Sequence, residues 1–307
     1  MNVDKLKMGS VTETALHALM AEIRKGRPWQ EVLADPRYPD LLRKRNWFSN
    51  TDKALMYRIV SVRHRNAFLD IGAGAGVLAS SLATEYRQVY ALEYKPEFIE
   101  FMKYRFAQDR VENVHLIRGN ALEMPFSDAS IDLAAVNGVL EWVPNFGDPA
   151  ASPRALQLSF LAEVRRCLTP GGKVVCAIEN RWYHWYLRGM PAHGEAPFAT
   201  VLPRPIANLL NRIVRKRPYR EHIYGYWGLL KLFREAGFQN VRLHLIYPSY
   251  YSPSEIYSMD GPPLAEYFRK HHSRLAFGRI AKGLSNILGC RYLLAFFGPA
   301  YYIEAQA

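Results

Sequence analysis

The sequence predicts an α/β fold in which an open, parallel sheet carries helices on both faces. Three observations support this. From Ala67 onward, short and nearly all-apolar runs alternate with longer runs of helical periodicity, and strands that are apolar on both sides belong to a sheet covered on both sides. The first apolar run enters its helix through a glycine-rich turn, LDIGAGAGVLA, residues 69–79. The 307 residues, 49% hydrophobic and 13% aromatic, are ample for a core of that size.

Ahead of the alternation, residues 1–60 read as an N-terminal helical cap. Ser10 and Glu13 form a capping-box pair, and Leu16, Leu19, Met20 and Ile23 follow at helical spacing until Gly26 and Pro28. The stretch WQEVLADPRYPDLLRKRNWF suits short helices and turns, and a further helix starts at Ser49 or Thr51 and runs through Leu55, Ile59 and Val62. The predicted strands are then AFLDI, QVYALE, NVHLIRG, IDLAAVN and GKVVCAIEN. Between them lie the helices VLASSLATEY, PEFIEFMKYRFAQ with Pro96 in its first turn, and SPRALQLSFLAEVRRCL with Ser152 as cap before Pro153. YGYWGLLKLFREAGF is a helix ended by Gly237, NVRLHLIYP is the next strand and AYYIEA the last. Residues 61–307 therefore read as one domain. Two segments, 181–222 and 249–297, stand outside the alternation and leave from carboxyl ends of strands, where open α/β sheets bind their ligands.

Those same segments hold the charge. The net charge is +12, and two acid-free stretches account for all of it. Ala196 to Arg220 contains Arg204, Arg212, Arg215, Lys216, Arg217 and Arg220, and Tyr267 to Ile303 contains Arg269, Lys270, Arg274, Arg279, Lys282 and Arg291. Both segments also carry apolar helical stripes: Ile206, Leu209, Leu210, Ile213 and Val214 in the first, Ile280, Leu284, Ile287 and Leu288 in the second. An apolar stripe flanked by cations suits peripheral contact with an anionic membrane, and equally a helix packed on the sheet with its charges in water. Cys167, Cys176 and Cys290 share no metal or redox spacing, and the N-terminus lacks a signal-peptide layout. The longest apolar run, YLLAFFGPAYYI, is broken by Gly298-Pro299. A cytoplasmic protein, peripheral at most to the inner face of the membrane, is the expectation.

The glycines narrow the ligand. A dinucleotide fingerprint needs glycine at 72, 74 and 77, whereas this chain has Gly72, Gly74 and Gly76, with Val77 where the pyrophosphate would sit. Asp70 adds a negative charge at the strand end, which repels a pyrophosphate and attracts an ammonium or sulfonium. S-adenosylmethionine carries both cations and no phosphate. Glu93 ends the second strand, 21 residues after Gly72, where an acid can accept hydrogen bonds from both ribose hydroxyls. Gly119-Asn120-Ala121 follows the third strand, Asn137-Gly138 the fourth, and an LTPGG turn leads into the fifth.

With these motifs the chain resembles the class I S-adenosylmethionine-dependent methyltransferases over residues 60–180, and also in the helix–strand pair 225–247 and the last strand. The resemblance implies a Rossmann-like methyltransferase sheet, mostly parallel with an antiparallel last strand, beside the helical cap and two helical insertions. It implies S-adenosylmethionine as cofactor, with Asp70, Gly72, Gly74 and Gly76 framing the methionine moiety and Glu93 holding the ribose. Tyr94 would flank the adenine, Asn120 and Ala121 would contact its amino group and ring, and Asn137 and Gly138 would line the floor beside the methyl group. Asn120 stands where these enzymes more often have Asp, and its amide carbonyl can accept the same hydrogen bond. IENRWYHWY, HGEAPFATVLPRP, RPYREHIYGYWGL and REAGF are similar to a bacterial subgroup linked to polysaccharide and glycoconjugate biosynthesis.

The acceptor is read by exclusion. The fourth strand ends in Asn137-Gly138-Val139-Leu140, without the Asn-Pro-Pro-aromatic turn of adenine or glutamine N-methylation. No Pro-Cys pair supplies a nucleophile for cytosine, and no Asp/Asp/Asn set for a metal can be assembled. A hydroxyl acceptor needs a base, and histidine is the usual choice. The candidates are His193, between Pro191 and Gly194 in the first insertion, with His222 and His184 beside it in sequence. His17, His64, His115 and His244 read as packing or surface residues, and His271 and His272 as solvated. Glu141, Trp142, Tyr183, Arg204, Tyr224 and Tyr250 are the substrate-side candidates, and Glu179 is an alternate base. The expected function is O-methylation of a small acceptor, phosphorylated, otherwise anionic or lipid-linked, and of sugar type. N-methylation of a small metabolite, RNA methylation and non-catalytic cofactor binding are the alternatives. No RNA-binding module is recognisable, which argues against a nucleic-acid partner.

Overall fold

The computed structural model describes residues 13–259 and 297–307, and within them the chain folds around an eight-stranded sheet. Its strands are β1 (Ala67–Ile71), β2 (Gln88–Glu93), β3 (Val114–Arg118), β4 (Ile131–Asn137), β5 (Leu168–Glu179), β6 (Gln239–Tyr247), β7 (Glu255–Ser258) and β8 (Ala300–Gln306). They lie in the order β3-β2-β1-β4-β5-β8-β6-β7. The first five are parallel, and β8 is antiparallel to both of its neighbours, β5 and β6. The sheet is thus mostly parallel with an antiparallel last strand, as the family resemblance implies.

Alternation along the strands fills two cores. Leu69, Ile71, Val136, Cys176 and Ile303 point to one face, Phe68, Leu133, Ala135, Val175 and Tyr302 to the other. The first face is covered by α7 (Pro153–Cys167), which opens with Ser152 accepting from the Ala155 amide, and α9 (Tyr226–Glu235). The second is covered by α5 (Val77–Leu82) and α6 (Pro96–Asp109).

The cap is built from α1 (Glu13–Arg24), α2 (Trp29–Ala34), α3 (Pro39–Ser49), a 3₁₀ turn (Thr51–Ala54) and α4 (Leu55–Arg58). Its first three helices share a core with Phe98 and Phe101 of α6 and with Ala75 and Val77 of the glycine turn. Arg105 of α6, buried, joins them: its guanidinium donates to the carbonyls of Phe48 (2.7 Å) and Ala75 (2.8 Å) and lies 4.4 Å from the Trp29 ring. The cap therefore holds the glycine turn in place.

The structure departs from the sequence expectation in several places. The helix expected through Val62 ends at Arg58, because Met56, Tyr57 and Val60 are the buried anchors while Ile59 is exposed. The LTPGG turn lies inside β5 as a bulge, the pairing with β4 jumping from Leu168 to Lys173. Strand β7 forms within the segment taken as an insertion, closing the sheet edge against β6. Ser10, His271, His272 and the remainder of that insertion, with its second basic stripe, lie outside the described residues.

The first insertion folds on small clusters of its own around α8 (Arg204–Arg215). Four of the six cations in its acid-free stretch are engaged with the protein, Arg215 through the Glu195 carbonyl at 3.1 Å. Arg204 donates to the carbonyls of Glu221, Tyr219 and Arg220, Arg220 to those of Pro144, Pro149 and Asp148, and Arg217 pairs with buried Glu195 at 2.8 Å.

Candidate active site

The glycine turn at the end of β1 has the backbone its sequence demands. Gly72, Gly74 and Gly76 all have φ between 54° and 72°, a left-handed conformation that favours glycine. A Cβ on Gly72 would lie 2.6 Å from Val139, and one on Gly76 2.6 Å from Phe106. The amides of Gly72 and Ala73 donate to the Leu92 carbonyl at 2.8 and 3.0 Å. Glu93, buried at the end of β2, ties the turn further. One carboxylate oxygen accepts from the Gly74 amide (2.8 Å), and the other from the Tyr94 (2.8 Å) and Lys95 (2.9 Å) amides.

Two cavities flank this carboxylate. One, of about 530 Å³, is bounded by Tyr94, Lys95, Phe98, Arg118 and Asn120, with the Tyr94 ring 5.0 Å from that of Phe146. The other, of about 270 Å³, contains Asp70, the glycine turn, Asn137, Gly138, Trp142 and His193. Of the expected cofactor residues, Tyr94 and Asn120 line the larger cavity and Asp70, Gly72, Gly74, Asn137 and Gly138 the smaller, while Gly76, Glu93 and Ala121 line neither. Ala121 packs against the main core beside them.

The cap adds residues that sequence reasoning missed. Trp47 and Lys53 line the smaller cavity, and the Tyr57 hydroxyl donates to Asn137 Oδ1 at 3.4 Å. The Lys53 ammonium is buried, and its hydrogen bond runs to the Trp47 carbonyl at 3.4 Å. Burial lowers its pKa to about 8, against the pull of Asp70. Burial also raises the Asp70 carboxyl to about 7, opposed by Lys53 and by the Ala79 amide that it accepts. A buried anion and cation facing one cavity fit the ammonium and carboxylate of an amino-acid moiety, so these residues suit the methionine end of S-adenosylmethionine. A lysine set in the apolar run KALMY was the only trace of this in the sequence.

Past Asn137, three elements meet. Gly138, at φ 67°, admits Tyr250, whose ring would lie 2.7 Å from any Cβ there. Tyr250 donates to Glu179 Oε1 at 2.9 Å, and its hydroxyl is 2.6 Å from that of Tyr251. His193 enters from the insertion in a left-handed conformation (φ 49°), followed by Gly194 at φ 78°. A non-glycine residue held there stores strain of a kind that clusters at functional sites. The Ala196 amide donates to Asn211 of α8 at 2.8 Å, which anchors the turn. His193 Nε2 lies 3.5 Å from Glu179 Oε2, its ring edge-on to Trp142 at 4.6 Å. Glu141 completes the group: one ligand atom from each of Glu141, Glu179 and His193 lies within 4.8 Å of the others. Burial and the Glu179 charge raise the Glu141 carboxyl to about 8. Burial would lower the His193 pKa, but Glu179 and Glu141 outweigh it and raise it to about 9, while His193 and the Tyr250 hydrogen bond hold Glu179 down.

The other candidates lie apart from this group. His184 packs between Tyr183 and Trp185, and burial lowers its pKa. His222 stacks on Tyr224 at 4.4 Å, its pKa lowered to about 3 by burial and by Arg204. Tyr224 donates to Gln157 in the core, Tyr183 belongs to the insertion's own cluster, and Arg204 holds three carbonyls there. Of the substrate-side candidates, Glu141, Trp142 and Tyr250 come together around His193.

A family model described as a methyltransferase domain matches residues 69–176. The demethylmenaquinone methyltransferase of Lactiplantibacillus plantarum is 26% identical over 186 residues, covering 56% of this chain and 70% of the relative. The Staphylococcus aureus (strain Newman) protein of that name is 29% identical over 196 residues, covering 60% and 72%. Among solved structures, Haemonchus contortus phosphoethanolamine N-methyltransferase 2 in complex with S-adenosyl-L-methionine superposes with a TM-score of 0.52 at 14% identity, a likeness of fold. That match covers 91% of this chain and 60% of the worm enzyme, and in a second complex of the enzyme the chain spans 52% of its length.

Proposed function

We propose that this class I S-adenosylmethionine-dependent methyltransferase methylates a hydroxyl oxygen of a small acceptor, anionic or lipid-linked and of sugar type. The supporting observation is the meeting of Glu141, Glu179 and His193 beside the cavity that Asp70 and the glycine turn line. Bound S-adenosylmethionine supplies a methyl group on a sulfonium, which a nucleophile displaces in line, so much of the acceleration comes from placing that nucleophile. Asp70 and Lys53 hold the amino-acid end, Glu93 holds the ribose, and Trp142 with the turn at His193 closes the space in which the acceptor sits. A hydroxyl becomes a competent nucleophile as it loses its proton. His193, raised to about 9, and Glu141, raised to about 8, are themselves protonated at neutral pH, so the ionised Glu179 draws the proton off through His193, which lines the cavity. Neither His184 nor His222 has that position.

The test is turnover. The protein is incubated with S-adenosylmethionine and a panel of sugar hydroxyl, amine, hydroquinone and RNA acceptors, and S-adenosylhomocysteine and the methylated product are measured. O-methylated sugar product supports the reading. Product only from an amine or RNA replaces it. A second reading, methylation of a quinone-type ring, is favoured by the name of the relatives at 26 and 29% identity, and the hydroquinone arm decides it.

The cofactor residues also predict a pH dependence. Asp70 titrates near pH 7 and Lys53 near pH 8. Below about 7 the carboxyl becomes neutral and no longer attracts the ligand's ammonium. Above about 8 the lysine becomes neutral and no longer attracts its carboxylate. S-adenosylhomocysteine affinity, followed by calorimetry, is expected to peak between these values. Asp70→Asn should remove the acid limb and Lys53→Met the alkaline one, and an unchanged profile in both variants refutes the assignment.

For the lipid-linked case, α8 is the element that would face an anionic membrane. Ile206, Leu209 and Ile213 are 53%, 61% and 60% exposed along one side, with Arg212, Arg215 and Lys216 exposed around them. Ala207 and Asn211 fill the inward side, and the flanking acids Glu195 and Glu221 are buried. No described helix is long and apolar enough to cross a membrane. Each cation near an anionic surface contributes about 1 kcal/mol. Weak, salt-sensitive sedimentation with anionic but not neutral liposomes is expected, abolished by Arg212→Glu with Lys216→Glu at unchanged melting temperature. If none occurs at low salt, a soluble anionic acceptor is the better reading.

A further inference from the structure

We propose that Glu141, Glu179 and His193 bind a divalent first-row transition-metal cation at the wall of the smaller cavity. One atom from each residue comes within 4.8 Å of the other two. Spacings of 38 and 14 residues along the chain match no sequence pattern for a metal; the fold makes the site.

What singles out this cluster is that its inward atoms lack hydrogen-bond partners. Glu141 is 0% exposed, and neither of its carboxylate oxygens has a hydrogen-bond partner among the described residues. Among those residues Glu179 Oε2 and His193 Nε2 have only each other, at 3.5 Å, and the His193 side chain is 8% exposed. Leaving a buried carboxyl group without a hydrogen bond is costly, and here the Glu141 oxygens converge with a long, poorly bonded Glu179–His193 pair. An entering ion displaces the protons of Glu141 and His193, and the two carboxylates and neutral imidazole then carry a charge of minus two, which a dication balances.

The surroundings are built as metal sites require. The second oxygen of Glu179 accepts from Tyr250, which orients the carboxylate, and the Trp142 ring fixes the plane of the imidazole. Of the site, His193 and its neighbour Gly194 line the cavity, so a further ligand to the ion would enter from that side. One nitrogen and two hard oxygens, without a thiolate, suit Mn²⁺, Fe²⁺ or Zn²⁺ better than Ca²⁺, which takes an all-oxygen shell.

Such an ion deepens the acceptor reading and, in its catalytic part, rests on it. A hydroxyl bound at an open position ionises at lower pH and releases its proton to water. The oxygen lone pair then forms the O–C bond, and the C–S bond breaks with its electron pair going to sulfur.

Binding is measured on the full chain after dialysis against a chelator, with no acceptor present. Mn²⁺ is titrated by the loss of its free electron-paramagnetic-resonance signal, and Zn²⁺ by calorimetry. One saturable site is expected. Glu141→Gln and His193→Ala should each weaken it by more than the about 10- to 100-fold that loss of an outer-shell partner costs. Mn²⁺ should raise the melting temperature of the native chain and not of the variants, whose folding is verified by S-adenosylhomocysteine binding. Absence of saturable binding of either ion, or equal affinity in both folded variants, overturns the site and leaves Glu179 to draw the proton off through His193. Metal binding with no turnover of any acceptor upholds the site and removes the acceptor reading.

Discussion

Alanine at Glu93 is expected to raise the dissociation constant of S-adenosylmethionine about 30- to 700-fold, which corresponds to the about 2–4 kcal/mol of a buried, charge-assisted pair of hydrogen bonds. The residue has two jobs on one carboxylate. It accepts from the amides of Gly74, Tyr94 and Lys95, and so ties the glycine turn to the end of β2. In the proposed reading it also holds the ribose hydroxyls. Removing it leaves the Gly74 amide unpaired and loosens the turn that frames the methionine end. Glu93→Gln keeps one acceptor oxygen and should fall between. Calorimetry with S-adenosylhomocysteine gives the same series, and NAD should not bind. Unchanged affinity in Glu93→Ala, or tight NAD binding, refutes the cofactor assignment of these residues.

At His193, alanine should lower turnover about 10²-fold or more, the usual contribution of a group that handles the reacting proton, while cofactor affinity changes little. The imidazole lines the same cavity as Asp70 and Lys53 but has no hydrogen bond or ion pair with either, so kcat should carry the loss. Buried Glu141 and Glu179 lose their nearest cation in this variant, and breaking a buried ion pair costs about 3–5 kcal/mol unless the carboxylates take up a proton. Folding is therefore checked by melting and by S-adenosylhomocysteine binding before rates are compared. His193→Gln, which keeps volume and a hydrogen-bonding amide, should be as inactive but more stable. Full activity in a folded His193→Ala protein shows that the acceptor reacts without help from this side, as a carboxylate or phosphate would.

Much of the cofactor half was legible because its signals are local. Apolar runs of five to seven residues mark β1 to β4, and glycines at 72, 74 and 76 mark a turn with left-handed backbone. Glu93 follows at the end of β2. Each signal lies within one strand, turn or helix start, where backbone sterics and hydrophobic periodicity act over a few residues. The short edge strand β7 escaped because four residues, EIYS, carry too little periodicity to stand out.

By itself, then, the sequence determined the parallel sheet and the glycine turn. Only the tertiary structure decided which distant side chains share a space. Lys53 and Trp47 reach the cavity because Arg105 pins the cap to the glycine turn. Arg204 and Arg220, two of six cations in an acid-free stretch, point inward onto carbonyls, which no charge count foretells. Glu141, Glu179 and His193 come from the ends of two strands and a turn in an insertion, and the sequence offers His184 and His222 from the same insertion as further candidates behind His193. What separates them is the packing of α8 and of Tyr250 against Gly138, because convergence of side chains depends on how elements cross, and a linear pattern carries no information about that crossing.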